Sequence, residues 1–390
     1  MVFMNADKGA TLGVLGAELI DPAAIEQMQR AVELPVSVAG YLLPDAHLGY
    51  GIPIGGVWAT RNTVSPYAVG VDIGCRMQVS IFDAAPDSVP TGQLRDAVIR
   101  NTIFGAGQAF TGRQRNHDPV LDSSEWREHP WLRQNPKLLD TARGQLGTSG
   151  GGNHFVNFGT VESPDSTSHL GLMTHSGSRG LGANIANHYS RVARRLRPEL
   201  DRSVGHLAWL DLDSQEGQEY WRAMQLAGKF AAANHNAIHR RIRDHLGLQE
   251  CDLISNFHNF AWIEDVAANG DTVSAVVHRK GATPAGKGVR GVIPGSMATP
   301  AYLVSGRGEK SSLQTASHGS GRVMSRTQAK RELHGMNLKA EMRNKGIELI
   351  GGSLDESPEV YKPIREIMRL QEHIVDVEGT FTPRLVRMAD

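Results

Sequence analysis

Six residues, all but His258 in glycine-bearing stretches, have the right chemical types to build a reactive centre. Asp72 and Cys75 stand three apart in "DIGCR", and His154, His175, His258 and His318 follow in "GGGNHF", "LMTHSGSRG", "SNFHNF" and "SHGSGR". One carboxylate, one thiolate and three imidazoles form a ligand set for a transition metal, and a thiolate can bridge two ions. Taken singly, each residue also has an ordinary reading: a lone histidine beside glycines is usually a hydrogen-bonded loop residue, and a lone cysteine a small buried hydrophobe. Their recurrence in similar loops favours one shared site. His318 opens onto "GSGRVMSRTQAK", which reads as an approach to a helix N-terminus, where free N–H groups and a positive dipole end attract phosphate. An imidazole there could attack a nucleotide α-phosphate, or it could serve as a fourth metal-ligating histidine. Arg179 and Arg322 follow His175 and His318 by four residues each, and with Arg279 and Lys280 they make a local cationic set suited to phosphate.

One further pair has metal-ligand spacing. His235 and His239 share a face of a helix expected over 217–246, but Asn236 stands where a zinc protease would carry its glutamate, so a solvated helix face is expected.

These stretches need a scaffold that delivers them to one place. Strand-like runs recur at 77–82, 206–212, 272–278 and 301–306, and helical patterns at 217–246 and 323–345. Strands mixed with long helices predict an α/β (mixed α+β) architecture with a layered sheet core, and the loops at strand ends should open into a central cleft. The polar stretch 112–137 reads as an excursion, and with no linker or repeat the whole of 1–390 is expected to be a single domain. The 41 basic and 41 acidic residues cancel, which excludes binding of nucleic acid through bulk charge and requires a local patch. Two cysteines cannot build a disulfide framework. With no membrane-length apolar run and no leader pattern, a cytoplasmic protein is expected.

The ordered series "LPDAHLGYGIPIGG", "GVDIGCRM", "GTSGGGNHF", "HSGSRGLG", "RKGAT", "IPGSM", "SHGSGRVMSR" and "GGSLDESPEVYK" closely resembles the motifs of the RtcB family of RNA-splicing ligases, over about residues 41 to 388. The resemblance implies a distinct single-domain fold and an enzyme that joins RNA ends carrying a 2′,3′-cyclic phosphate or 3′-phosphate to 5′-hydroxyl ends, with GTP and Mn²⁺. It implies that His318 accepts GMP, and that Asp72, Cys75, His154, His175 and His258 hold two Mn²⁺ ions with Cys75 bridging. Asn153, Ser296 and Tyr361, with Gly319, Ser320, Gly321 and Arg322, would line the nucleotide; Arg179 and Arg322 would grip RNA phosphate or the guanylate. A thiolate is an unusual partner for Mn²⁺, so availability or hard phosphate oxygens must decide which metal is used.

Three positions depart from the family pattern. Asn157 stands where a glutamate would accept from guanine N1–H and N2–H, and an amide offers a single acceptor. Met388 stands at a nucleotide-contacting lysine, leaving Arg387 as the nearest cation, and Phe257 replaces a histidine before His258. Three rivals therefore stand beside RNA joining: a nucleotidyltransferase that caps 3′-phosphate ends of RNA or DNA, a metal-dependent phosphodiesterase with His318 as ligand, and a non-catalytic RNA-end binder.

Overall fold

The computed structural model describes residues 2–5, 10–268 and 270–390, and two large sheets dominate it. The six-stranded sheet runs in the order Val2–Asn5, Thr11–Val14, Ser37–His47, Ile54–Thr60, Asp271–Lys280, Asn259–Ala268. The eight-stranded sheet runs Glu250–Phe257, Arg76–Phe82, Ser168–Ser176, Phe155–Glu162, Val375–Met388, Ala301–Gly306, Arg290–Ile293, with Glu348–Ile350 paired to the long Val375–Met388 strand. With helices layered on these sheets, the expected mixed α/β architecture is found.

Register sorts the eight-stranded sheet into two faces, because side chains alternate along a strand. Phe82, Val156, Phe158, Leu170, Leu172 and Leu385 point to the back, where they pack with Leu94, Ala97 and Val98 of the Thr91–Asn101 helix and Ile238 and Ile242 of the Gln215–Leu246 helix. The front face carries two rows in register. One is Met388, Phe155, His175; the next is Val386, Asn157, Met173, Val79. The front is the floor of the site.

The long helix begins at Gln215, two residues before the expected start, and ends at Leu246 as expected: Ser214 caps it by accepting from Gly217 N–H, and Gly247 ends it in the left-handed region. Its His235 and His239 are buried, contrary to the expected solvated face. Thr174 Oγ1 on the sheet's back lies 2.7 Å from His235 Nδ1 and 2.8 Å from His239 Nε2, and Ser80 Oγ lies 2.7 Å from His239 Nδ1. The reason is the alternation of the facing strands, which puts Gln78, Ser80 and Thr174 on the back and gives the helix a polar seam to meet. Burial first, then the charges of Arg243 and Arg76, push His239 down to about 3, so the seam is neutral. Thr174→Val keeps the shape and removes one hydroxyl that serves two buried imidazoles. It is expected to cost about 1–3 kcal/mol, read as a lowered urea midpoint at unchanged slope.

Other expectations shift in detail. The 206–212 run is a short helical turn, Gly205–Leu207, followed by the two-residue strand Leu210–Asp211. The 323–345 pattern breaks into Arg326–Glu332 and Leu338–Asn344, since Gly335 between them takes φ +93° and ends the first piece. Residues 112–137 form short helical turns, including Glu125–Glu128 and Pro130–Gln134. No described helix is long and apolar enough to cross a membrane.

Candidate active site and metal centre

A cavity of about 1140 Å³ opens over the front face, lined among others by Asp72, Cys75, Asn153, His154, Asn157, His175, His258, Ser296, His318 and Tyr361. Residues spread over most of the sequence meet there because strand ends deliver them. Asp72 and Cys75 lie in the turn that enters the Arg76–Phe82 strand, and Cys75 N–H donates to Asp72 O at 3.1 Å. Ser178 N–H donates to Asp72 Oδ1 at 3.1 Å, holding the carboxylate against the following loop. His154 precedes the Phe155–Glu162 strand, His175 sits within its neighbour, and His258 lies between two strands, where its N–H donates to Cys75 O at 3.0 Å.

The five expected ligands form a continuous string. Asp72 Oδ2 is 3.2 Å from His154 Nε2, Cys75 Sγ is 3.5 Å from that nitrogen and 3.2 Å from His175 Nε2, and His175 Nε2 is 3.1 Å from His258 Nε2. The donor atoms of Cys75, His154 and His175 all lie within 4.8 Å of one another. Backbone carbonyls orient two of the rings, since a carbonyl can only accept: His154 Nδ1 faces Ser149 O and His175 Nδ1 faces Asn153 O, each at 3.0 Å. The His175 Nε2 lone pair is therefore turned toward the thiol, while His154 Nε2 faces both Asp72 Oδ2 and Cys75 Sγ.

Electrostatics agrees with a cation-accepting cluster. Burial, and then the charge of neighbouring groups, lowers all three imidazoles: Arg179 acts on His154, His154 on His175, and His175 on His258. They are neutral at pH 7. Burial alone would raise Asp72, but the His154 hydrogen bond and the Arg179 charge hold its carboxyl below the usual range. Burial and the Asp72 carboxylate push the Cys75 thiol well up, so a cation must accompany its ionisation. His258 Nδ1 is a buried nitrogen without a partner. Neutral nitrogens, a carboxylate and a sulfur crowded together fit a divalent metal.

The nucleophile candidate is positioned by a residue to which the motifs gave no role. Asp45, fully buried at the end of the Ser37–His47 strand, accepts from His318 Nδ1 at 2.7 Å and from His318 N–H at 3.1 Å with the same Oδ2. An ionised carboxylate can only accept, which places the hydrogen on Nδ1 and leaves the Nε2 lone pair free. Lys362 braces this corner by donating to Pro44 O at 2.9 Å and Ala46 O at 2.8 Å, and burial lowers its pKa to about 8. The small residues around His318 have a second reason beyond clearing space. Gly321 has φ +70°, and a Cβ there would lie 2.1 Å from Asp45 O, so glycine lets this segment close onto the Asp45 strand.

The expected helix N-terminus beyond His318 is a seven-residue helix beginning at Arg326, too short to supply a phosphate nest of its own. Arg322 lines the cavity, donates to Asp355 O at 2.8 Å and stacks over Tyr361 at 5.6 Å. Its Nη1 is buried without a hydrogen-bond partner, although Glu356 Oε1 is 3.5 Å away. Arg179, expected at RNA phosphate, is not part of the lining. It stands behind the cluster, 2.8 Å from His154 Nδ1 and 3.6 Å from Asp72 Oδ2. Arg387 points to the back of the sheet, donating to Val98 O and Ile99 O at the end of a helix, so it is no substitute for a cation at Met388. Arg279 is buried in a pair with Glu264 at 2.7 Å. Phe257, by contrast, stacks against Phe260 and carries Arg76 over its ring.

Asn157 Oδ1 is buried with no partner among the described residues, and Asn157 is the one polar residue in its floor row. Ser296 is held to Thr299 at the lining, Asn153 lends its carbonyl to His175, and Gly319 and Ser320 flank His318.

Comparison with known proteins agrees with the motifs. The family model described as "tRNA-splicing ligase RtcB" matches residues 27–388. The tRNA-splicing ligase RtcB of Archaeoglobus fulgidus is 32% identical, over 92% of this chain and 88% of its own length. The protein of the same name from Thermococcus kodakarensis is 30% identical over 92% and 90%. The RNA-splicing ligase RtcB of Escherichia coli K12 is 32% identical over 86% of each.

Proposed function

Since the chain belongs to the RtcB family, we propose that it is an RNA ligase that joins 2′,3′-cyclic phosphate or 3′-phosphate ends to 5′-hydroxyl ends, using GTP and Mn²⁺. The observation that carries this reading is His318: an imidazole with Nδ1 committed to a buried carboxylate and Nε2 free, in one cavity with a metal-type donor cluster.

His318 Nε2 would attack the GTP α-phosphorus, forming an N–P bond as the bond to the β-phosphate oxygen breaks and pyrophosphate departs. Asp45 then stabilises the positive imidazole ring. GMP passes from His318 to the RNA 3′-phosphate, after hydrolysis where that end begins as a cyclic phosphate. The 5′-hydroxyl next attacks the activated phosphorus, and GMP leaves. Asp72, Cys75, His154, His175 and His258 would hold two Mn²⁺ ions, which when bound would offset charge on phosphate oxygens. Arg322 and Tyr361 would face the nucleotide, and Arg179 would hold Asp72 and His154 in place.

The test is incubation with Mn²⁺ and α-labelled GTP. Acid-labile, base-stable label on the protein is expected, followed by joined product when RNA with 3′-phosphate and 5′-hydroxyl ends is added. Absence of label on folded, metal-loaded protein sinks the proposal, and label without joining favours the capping reading, on RNA or DNA.

Asn157 bears on the nucleotide. One amide in an apolar row offers a single acceptor where a carboxylate offers two, so the guanine 2-amino group should matter little. GTP and ITP are expected to label within a few-fold of each other, and Asn157→Glu to favour GTP by about tenfold, the scale of one charge-assisted hydrogen bond. Competition labelling reads the ratio.

A further inference from the structure

Four of the eleven exposed large apolar side chains among the described residues, Leu48, Tyr50, Val71 and Val323, gather at the lining of this one cavity. Tyr50 is the most exposed, at 73%. Its ring is free but its backbone is not. Gln27 Nε2, from the Pro22–Val32 helix, donates to Gly49 O at 2.5 Å and Gly51 O at 2.7 Å, Gln27 Oε1 accepts from Gly49 N–H at 3.3 Å, and Lys280 Nζ donates to Tyr50 O. A large aromatic ring exposed on a fixed stretch of backbone is an unfavourable surface for a protein to keep alone, and a binding platform whose backbone loses little entropy on contact.

The platform joins two spaces. Tyr50 lines the cavity on one side and, on the other, a groove of about 90 Å³ formed with Arg30, Ser203 and His206. The His206 ring meets Tyr50 edge-on at 6.0 Å, and the Arg194 guanidinium lies against the neighbouring Gly205. Arg194 has no ion pair among the described residues, whereas Arg30 is tied to Glu26. The cavity also carries Glu18 and Asp21, which repel phosphate. The stretch from Tyr50 over His206 to Arg194 therefore sets an exposed aromatic ring beside a cation without an ion pair among the described residues.

We propose that this lip seats the unpaired nucleotides next to the RNA end being joined, with a base stacked on Tyr50 and the strand leaving along the His206 groove toward Arg194. The proposal rests on the RNA-joining reading for the identity of its occupant. Stacking on aromatic rings between cationic contacts is how proteins hold single strands without regard to sequence. A sequence-tolerant grip suits an enzyme that must take whatever base occupies the end.

The test measures binding of a fluorescent single-stranded RNA carrying a 3′-phosphate and a 5′-hydroxyl, by anisotropy, alongside GTP labelling of the protein. Tyr50→Ala is expected to weaken binding about tenfold or more, and Tyr50→Trp to restore it. Labelling should be unchanged in both. Placing an abasic nucleotide at the 3′ or the 5′ terminus should abolish most of the Tyr50→Ala effect at one of the two ends, identifying which end the lip holds. Unchanged binding in Tyr50→Ala, or an equal loss with both abasic RNAs, overturns the proposal. If labelling fails in every protein while Tyr50 still governs RNA binding, the joining chemistry falls and the lip stands. If labelling persists and RNA binding ignores Tyr50, the lip alone falls.

Discussion

Asp45→Asn is expected to slow guanylation of His318 by on the order of 10²–10⁴-fold while leaving metal content unchanged. The carboxylate does two things that an amide of the same shape cannot. It accepts from Nδ1 at 2.7 Å and so selects the tautomer with a bare Nε2, and it supplies a negative charge to the ring that becomes cationic as the N–P bond forms. Asparagine can turn its NH₂ toward Nδ1, which stabilises the opposite tautomer and puts a hydrogen on the attacking nitrogen. Among the described residues the Asp45 carboxylate makes no hydrogen bond or ion pair to Asp72, Cys75, His154, His175 or His258, so metal analysis separates lost tautomer control from a collapsed centre. Single-turnover labelling over a range of GTP concentrations is the measurement, with the melting temperature as control. A labelling rate within tenfold of the parent would mean that the buried carboxylate does not set the tautomer.

Why Asp45 escaped the reading of the sequence is instructive. It stands in "LPDAH", near the end of the Ser37–His47 strand and 273 positions from the residue it orients. No local period or spacing reports a hydrogen bond between distant segments, and Asp45 is buried like the rest of the strand from Val38 to Ala46. The metal-type residues are legible for the opposite reason: Asp72, Cys75, His154, His175 and His258 carry unusual chemistry to the ends of apolar runs, where a packed core has no use for it. Their convergence follows from strand ends meeting at one sheet face. Arg179 shows the limit of that reasoning, because a guanidinium near a phosphate-type loop can equally turn inward to a carboxylate, as it does toward Asp72. His235 and His239 failed in the other direction. Helical spacing gave their common face correctly, but whether that face meets water or a sheet depends on Ser80 and Thr174, hydroxyls that the strand's alternation turns toward the helix. The fold class survived these errors, since it depends on the sum of apolar patterns, whereas the site depends on individual partners.

His318→Ala should reduce guanylate label to background and leave two metal ions per chain. Both outcomes are needed, because a ligand and a nucleophile would lose activity alike. Geometry separates the roles in advance. The His318 ring centroid is 5.2 Å from that of His258, near enough to contribute to the cluster, yet its Nδ1 is committed to Asp45 and only Nε2 remains. One nitrogen cannot both bind a cation with its lone pair and attack phosphorus with it. The string from Asp72 to His258 already supplies a carboxylate, a thiol and three imidazoles, a set sufficient for two ions once the sulfur is shared and phosphate oxygens complete the shells. Metal analysis after gel filtration, with Mn²⁺ supplied and the protein folded, reads the stoichiometry; the labelling gel reads the nucleophile. A fall to one ion in His318→Ala would reassign His318 as a ligand and favour a metal-dependent phosphodiesterase. Label persisting in His318→Ala would move the nucleophile elsewhere, and unlabelled protein with two ions leaves His318 as the group that carries GMP.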